Sequence, residues 1–253
     1  MMVKEALTQN TELDQHFLID KSVLDKEIEI SEITRKDKIL EVGSGNGGLT
    51  KELVKHAKFV RSFEIDSSYK EDLDNIKGTN LEIIFGNALD YSWKEYDKIV
   101  SNIPYSVSEP LIMKVLDTKI NLIVLIVGEK FKNVIEKNET KAGIITNLFF
   151  DVNFILKVDK KSFLPAPRVN SWLIKLTRKS NLNKVERVIQ GIFKRKGKLK
   201  NTILYSLVEE GKTKKESRAI IDKLDLSNIE LEKSNKLVSG KSILTLVNFL
   251  NSI

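Results

Sequence analysis

Five short apolar runs rich in β-formers, separated by stretches patterned as helices, limit what this chain can fold into. The runs are KILEVGS (38–44), FVRSFEID (59–66), LEIIFGN (81–87), DKIVSN (97–102) and LIVLIVG (122–128). Between them, LTKELVKHA sets Leu49, Leu53, Val54 and Ala57 on one helical face, and EPLIMKVLD does the same with Leu111, Ile112, Val115 and Leu116. Strands alternating with helices predict an α/β fold with a parallel sheet covered on both faces. Two later strands, FFDVNFILKV and SWLIKLT, flank the loop DKKSFLPAPRVN with no helical pattern between them, which predicts an antiparallel end to the sheet. After Thr177 only helical spacing remains, in KVERVIQGIF, NTILYSLV and SILTLVNFL. The boundary therefore falls at residues 177/178, with an α/β domain over 1–177 and a small helical domain over 178–253.

The 253 residues include no cysteine, which excludes disulfides, thiolate metal sites and a cysteine nucleophile and fits a cytoplasmic protein. His16 and His56 are far apart and form no His-x-x-x-His pair, so no metal site is expected. The longest apolar run, LIVLIV, is far too short to span a bilayer, and no membrane partner is expected. Net charge is +7, but residues 178–215 hold twelve Lys/Arg against three Asp/Glu, so the rest of the chain is slightly acidic. The densest part, KRKGKLK, presents Lys194, Arg195, Lys196, Lys198 and Lys200. A polyanion such as RNA is the natural partner, because neutralising phosphates releases counterions; a solvated helix face is the plainer alternative.

The strand ends carry the chemistry. EVGSGNGG, with Gly43, Gly45 and Gly47 between a strand and a helix, allows a tight turn and close approach to a ligand. Glu64 ends the next strand, 21 residues after Gly43, where a carboxylate can accept both hydroxyls of a ribose. This pattern is shared by nicotinamide enzymes and S-adenosylmethionine methyltransferases. Asn102-Ile103-Pro104-Tyr105, closing a third strand, separates the two. The exocyclic amine of adenine is a poor nucleophile because its lone pair is delocalised into the ring. The Asn102 side-chain oxygen and the Ile103 carbonyl could both accept its hydrogens and localise that pair, with Pro104 fixing the turn and Tyr105 stacking on a base taken out of its helix.

With these motifs in place the chain resembles the KsgA/Dim1 family of small-subunit rRNA adenine N6-dimethyltransferases, its archaeal members most. DQHFLID is similar to the family's Gly-Gln-(Asn/His)-Phe-Leu motif, EVGSGNGGLT to its glycine motif, FEID to its ribose-binding acid and GNAL to Gly-Asp-Ala-Leu. SNIPYSVSEP is similar to the catalytic motif, and FLPAPRVNS to Phe-x-Pro-x-Pro-x-Val-x-Ser. The six occur in the family's order between about Asp14 and Leu176, and two of them hold all four prolines. The resemblance implies a Rossmann-like methyltransferase sheet with a C-terminal helical domain, S-adenosylmethionine as cofactor, and cofactor contacts from His16, Leu18, Gly43, Gly45, Glu64, Asn87 and Asn102. It places His16 near the methionine moiety and Phe163 opposite Tyr105 on the target base; by sequence alone Phe163 reads as core and His56 as helix surface.

The implied reaction is transfer of two methyl groups to each of two adjacent adenines near the 3′ end of small-subunit rRNA, by a cytoplasmic monomer acting in ribosome biogenesis. Departures stand at Asp14 for the family's glycine, Asn87 for its aspartate and Glu109 for its Ser or Thr, and FKRKGKLKN is one residue shorter than the family's basic stretch. Two alternatives compete. One is the erythromycin-resistance methyltransferases, which share the Asn-Ile-Pro-Tyr motif and act on large-subunit rRNA; the other is an RNA-binding assembly factor that kept the fold and lost catalysis.

Overall fold

The computed structural model describes residues 15–224 and 230–253, apart from the side chain of Tyr105. In chain order the elements are β1 (Phe17–Leu18), α1 (Lys21–Ser31), β2 (Lys38–Val42), α2 (Gly48–His56), β3 (Phe59–Glu64), α3 (Lys70–Asp74), β4 (Leu81–Phe85), β5 (Lys98–Asn102), α4 (Ser108–Val115), β6 (Leu122–Gly128), α5 (Glu129–Lys137), α6 (Lys141–Phe149), β7 (Phe150–Val158), β8 (Phe163–Leu164), β9 (Ser171–Arg178), α7 (Lys184–Lys194), α8 (Leu199–Glu209), α9 (Lys214–Asp222) and α10 (Gly240–Asn251). All five early runs form strands, two residues shorter at the carboxyl end for each of the first three, because the chain turns away at Gly43, Ile65 and Gly86.

The main sheet runs β4-β3-β2-β5-β6-β9-β7, and the pairs from β4 to β6 are parallel. β9 lies between β6 and β7, and the short loop with no crossover helix lets β7 and β9 pair directly. Chain order reverses between β2 and β5, the switch point where open α/β sheets bind ligands. Those two strands pair only through Ile39 with Lys98 and Leu40 with Ile99. Beyond that the Ser101 hydroxyl takes the Val42 N–H at 2.8 Å, so a side chain replaces the ladder where the strands part. β6 is buried along its whole length, as its unbroken apolar sequence requires.

Helix α1 escaped the periodicity argument because its buried stripe is Val23, Glu27 and Ser31, two of the three polar. Asp20 caps its start by accepting from the Ser22 and Val23 N–H groups, and Glu32 ends it in the left-handed conformation.

The chain divides into two compact units. The first contains the described residues up to Leu111 together with Lys119–Phe131 and Asn153–Leu176. The second contains Ile112–Thr118, Lys132–Val152 and the chain after Leu176, so it draws on two internal segments as well as the C-terminal helices. Within it, α10 packs on α6 so closely that a Cβ at Gly240 would sit 2.3 Å from the Glu139 carbonyl oxygen. The Arg178 guanidinium donates to the Val115 carbonyl at 2.8 Å and lies over the Phe150 ring.

Candidate active site

The turn after β2 adopts left-handed conformations at Gly43 (φ 83°) and Gly45 (φ 53°). The N–H groups of Gly43 and Ser44 both donate to the Phe63 carbonyl, which pins the turn to β3. A Cβ at Gly45 would lie 2.7 Å from the Phe17 ring, and one at Gly43 would touch Pro104. Glycine is thus required at Gly45 by conformation and by space together. Glu64, at the end of β3, receives the Gly45 N–H at 2.7 Å on one oxygen and the Asp66 N–H at 2.9 Å on the other. Burial raises its pKa against the opposing pull of those backbone donors. Each oxygen keeps acceptor capacity for a ribose hydroxyl.

These groups line a cavity of about 350 Å³, within the range of small-ligand sites. His16, Leu18, Gly43, Gly45, Glu64, Asn87, Asn102, Ile103, Pro104 and Phe163 all border it, so the structure brings together every predicted cofactor and catalytic position whose side chain is described. The Tyr105 side chain and Asp14 lie outside the described residues. Asn102 closes β5, and its Oδ1 atom is buried with no hydrogen-bond partner among the described residues. A buried polar atom left unpaired costs free energy unless something else satisfies it. Glu41 also borders the cavity. Its Oε2 receives the Thr50 and Ser62 hydroxyls at 2.7 and 2.6 Å, its Oε1 has no partner among the described residues, and burial pushes its pKa up to about 7.

One wall of the cavity comes from distant parts of the chain. β1 pairs antiparallel with β8, Phe17 opposite Leu164 and Leu18 opposite Phe163, and His16 Nδ1 lies 2.9 Å from the Pro165 carbonyl oxygen. The motifs DQHFLID and FLPAPRVNS are therefore two halves of one structure. Phe163 is both things the sequence suggested, since it packs in the core with Val124, Ile126 and Leu173 and also borders the cavity. Asn87 caps the 3-10 turn Ala88–Asp90, its Oδ1 accepting the Leu89 N–H at 3.0 Å. His56 is exposed in the last turn of α2.

Sequence reasoning missed Gln15, Phe17, Glu41 and Ile65 as lining residues. Gln15 accepts from the Tyr69 hydroxyl and reaches Asp66. Ile65 is a large apolar side chain left 60% exposed, beside the carboxylate that ends β3. A signal existed for Glu41, a carboxylate in the middle of an otherwise apolar strand, and for Gln15 and Phe17, which match the motif carried by DQHFLID.

The basic cluster lies in the second unit, and its five members differ. Arg195 is tied to Glu209, the Gly191 carbonyl and the Ser206 hydroxyl, Lys194 donates to Gln190, and Lys198 pairs with Glu232 at 2.8 Å. Lys198 and Glu232 are both more than half exposed, so their pairing is weak and exchangeable. Lys196 and Lys200 are exposed. Lys200 also borders a second cavity of about 320 Å³ with Tyr205, Lys214, Arg218 and Asp222, where Tyr205 presents half its surface to solvent.

The chain is 34% identical over 206 residues to a probable ribosomal RNA small subunit methyltransferase A of Pyrococcus abyssi, covering 79% of this chain and 77% of the relative. A protein of the same name from Methanococcus vannielii is 33% identical over 243 residues, 92% and 87% of the two chains. Among solved structures, a dimethyladenosine transferase from Plasmodium falciparum superposes with a TM-score of 0.62 at 27% identity, covering 94% of this chain and 98% of that one. The 23S rRNA methyltransferase ErmE superposes at 0.60 with 22% identity, covering 93% and 99%, a likeness of fold alone. The ribosomal RNA adenine dimethylase model matches residues 6–241, almost the whole sequence, and this chain belongs to that family of S-adenosylmethionine-dependent rRNA adenine methyltransferases.

Proposed function

We propose that this chain places two methyl groups on N6 of each of two adjacent adenines near the 3′ end of small-subunit rRNA. The observation that carries the reading is the Asn102 Oδ1 atom, buried and unpartnered among the described residues in the wall of a cavity that the glycine turn also lines. The residues suit S-adenosylmethionine: the turn admits no Cβ at Gly45, and Glu64 is held by two backbone donors with acceptor capacity remaining. When bound, S-adenosylmethionine supplies the methyl group as an electrophilic carbon on a sulfonium.

The chain's own part is positioning. Asn102 Oδ1 and the Ile103 carbonyl each accept a hydrogen of the adenine amine and draw its lone pair out of the ring. Pro104 fixes the peptide that carries them, and Phe163 and Tyr105 hold the base by its faces. Apolar walls exclude water, where such hydrogen bonds act more strongly than in solvent. No general base is needed, because the methylated amine is acidic and releases its proton to solvent. Ile65 and Leu18 offer apolar surface to the cofactor, with His16 toward its methionine end. Lys194, Arg195, Lys196, Lys198 and Lys200 hold rRNA phosphates, and in the free protein the carboxylates of Glu209 and Glu232 stand in for two of them.

The names of the archaeal relatives support the small subunit as substrate. We place the protein in the cytoplasm as a monomer acting on the small subunit or its precursor. The test is labelled S-adenosylmethionine with undermethylated small and large subunits, using wild type and Asn102→Ala. Label in small-subunit rRNA from wild type, and none from a folded Asn102→Ala, is expected. Label confined to large-subunit rRNA refutes the substrate, binding without label refutes the activity, and near-normal turnover by Asn102→Ala refutes the role of Asn102.

A further inference from the structure

An asparagine amide has nearly the same shape when turned over, exchanging its oxygen for its NH2 group. For Asn102 the difference is decisive, because an NH2 group facing an amine accepts nothing. Some neighbour must hold the productive face forward, and among the described residues Oδ1 itself has no hydrogen-bond partner to do so.

Behind Asn102, on α1, lies Glu27. Its side chain is fully buried, and among the described residues neither carboxyl oxygen has a partner that meets the geometry of a hydrogen bond. α1 packs on β5, the strand that Asn102 ends, and after burial the Asn102 amide is the chief influence on this carboxyl, favouring its charged form. Burying an unpaired carboxyl is costly, by transfer arguments. The same stripe of α1 accepts an apolar residue one turn earlier, at Val23, so packing alone does not call for an acid.

We propose that Glu27 is a positioning residue for Asn102: its carboxyl takes the Asn102 Nδ2 hydrogens and so keeps Oδ1 turned toward the reacting amine. The proposal rests on the assignment of Asn102 as acceptor made above. A carboxylate is an acceptor only, so in that form Glu27 admits one orientation of the amide. As a carboxylic acid it also carries a donor that competes for Oδ1. Burial, with a contribution from Glu41 on β2, pushes its pKa up to about 8, and the Asn102 amide opposes the rise. The other elements packed on α1 add little charge. β6 has no ionisable residue, Lys98 of β5 is engaged by Asp37, Lys55 of α2 pairs with Glu52, and Lys51 and His56 are exposed.

The test compares wild type, E27Q, E27L and N102A in steady-state methyl transfer to small-subunit rRNA, with thermal midpoint and S-adenosylmethionine affinity measured on the same samples. Leucine removes the acceptor and relieves a buried carboxyl. E27L should therefore keep or raise the thermal midpoint and bind cofactor within about twofold, yet lose about tenfold in kcat, the signature of an interaction realised in the transition state. E27Q keeps a carbonyl acceptor but, like the protonated acid, also carries a donor that competes for Oδ1, so its kcat should fall between those of E27L and wild type. A kcat for E27L within about twofold of wild type overturns the proposal, as does a loss in E27Q as deep as in E27L. Inactive N102A beside normal E27L sinks this inference alone, whereas active N102A sinks the reading on which it rests. If E27L does not fold, the Asn102 side-chain NH2 resonances of 15N-labelled protein carry the test. They should move with pH around 8 in wild type and stay still in E27Q, and pH-independent resonances in wild type overturn the proposal.

Discussion

Replacing Asn87 with aspartate should tighten cofactor binding. The Asn87 oxygen already accepts the Leu89 N–H at 3.0 Å, which leaves the amide nitrogen, a donor, as its other polar atom. If this position receives the amine of the cofactor's adenine, donor faces donor there, and only the shared oxygen can serve. Aspartate caps a turn as well as asparagine does and adds a second, charged acceptor. Hydrogen bonds to charged groups contribute about 1.5–3 kcal/mol against about 0.5–1.5 for neutral ones. Asn87 is exposed, so the gain belongs near the low end, roughly 1 kcal/mol or about fivefold in Kd. Repulsion from Asp90 in the same turn opposes it, but between exposed groups in water this amounts to about 1 kcal/mol at most even at 4 Å and is screened by salt. Titration calorimetry with S-adenosylmethionine on wild type, Asn87→Asp and Asn87→Ala at neutral pH reads the difference directly. Asn87→Ala should bind more weakly and lose about 1 kcal/mol of stability with its cap. Looser binding by Asn87→Asp at neutral pH would refute the contact, because aspartate preserves the cap and changes only the second polar atom.

Other perturbations separate the parts of the site. Gly45→Ala must place a methyl group 2.7 Å from the Phe17 ring at a φ of 53°, and should cost roughly 1–2 kcal/mol by thermal denaturation along with most of the cofactor affinity. A stable variant that binds normally would show the turn to be more pliant than its geometry. Alanine at both Lys196 and Lys200 should lower the slope of log K for rRNA against log salt by roughly one per lost contact while leaving cofactor affinity alone; an unchanged slope returns them to the solvated surface. Stability should also fall as pH rises. Glu27 and Glu41 have folded pKa values of about 8 and about 7, above the unfolded 4.5, so between those limits the folded state binds more protons. Their contribution is full below pH 4.5 and is lost as pH climbs through 7 to 8, at about 1.4 kcal/mol per pH unit for each proton of difference. Denaturant midpoints between pH 5 and 8.5 test this, and E27L should flatten the decline; a midpoint that rises over that range contradicts the burial of both carboxyls.

The sheet was legible because burial on both faces writes itself as unbroken apolar runs, as in Leu122–Gly128, and the glycine turn because few other residues tolerate its dihedrals. Helix α1 was not legible, since Glu27 and Ser31 occupy its inner face and break the apolar period. Nor was α9, whose sequence KKESRAIID is mostly charged. The pairing of β1 with β8 left no local trace, each strand being two residues long and their partners about 146 residues apart. The motifs marked its two halves without showing that they touch. Asn102 could be read from chemistry, but Glu27 could not, because nothing along the chain distinguishes it from Glu29 two residues later; only depth separates them.

The way the second compact unit is threaded bears on how the protein can be made. Its segments 112–118 and 132–152 leave the ribosome well before the helices beyond Leu176 that complete the same unit. During synthesis those stretches wait for their partners, and α6, buried along most of its length in the finished protein, waits with its apolar side chains uncovered. Ending the chain near residue 177, at the boundary the sequence suggests, would make that wait permanent. The fragment would keep its glycine turn but carry an unsatisfied apolar surface, prone to self-association. The helical region therefore serves the nascent chain itself, by closing a unit that earlier residues have already begun.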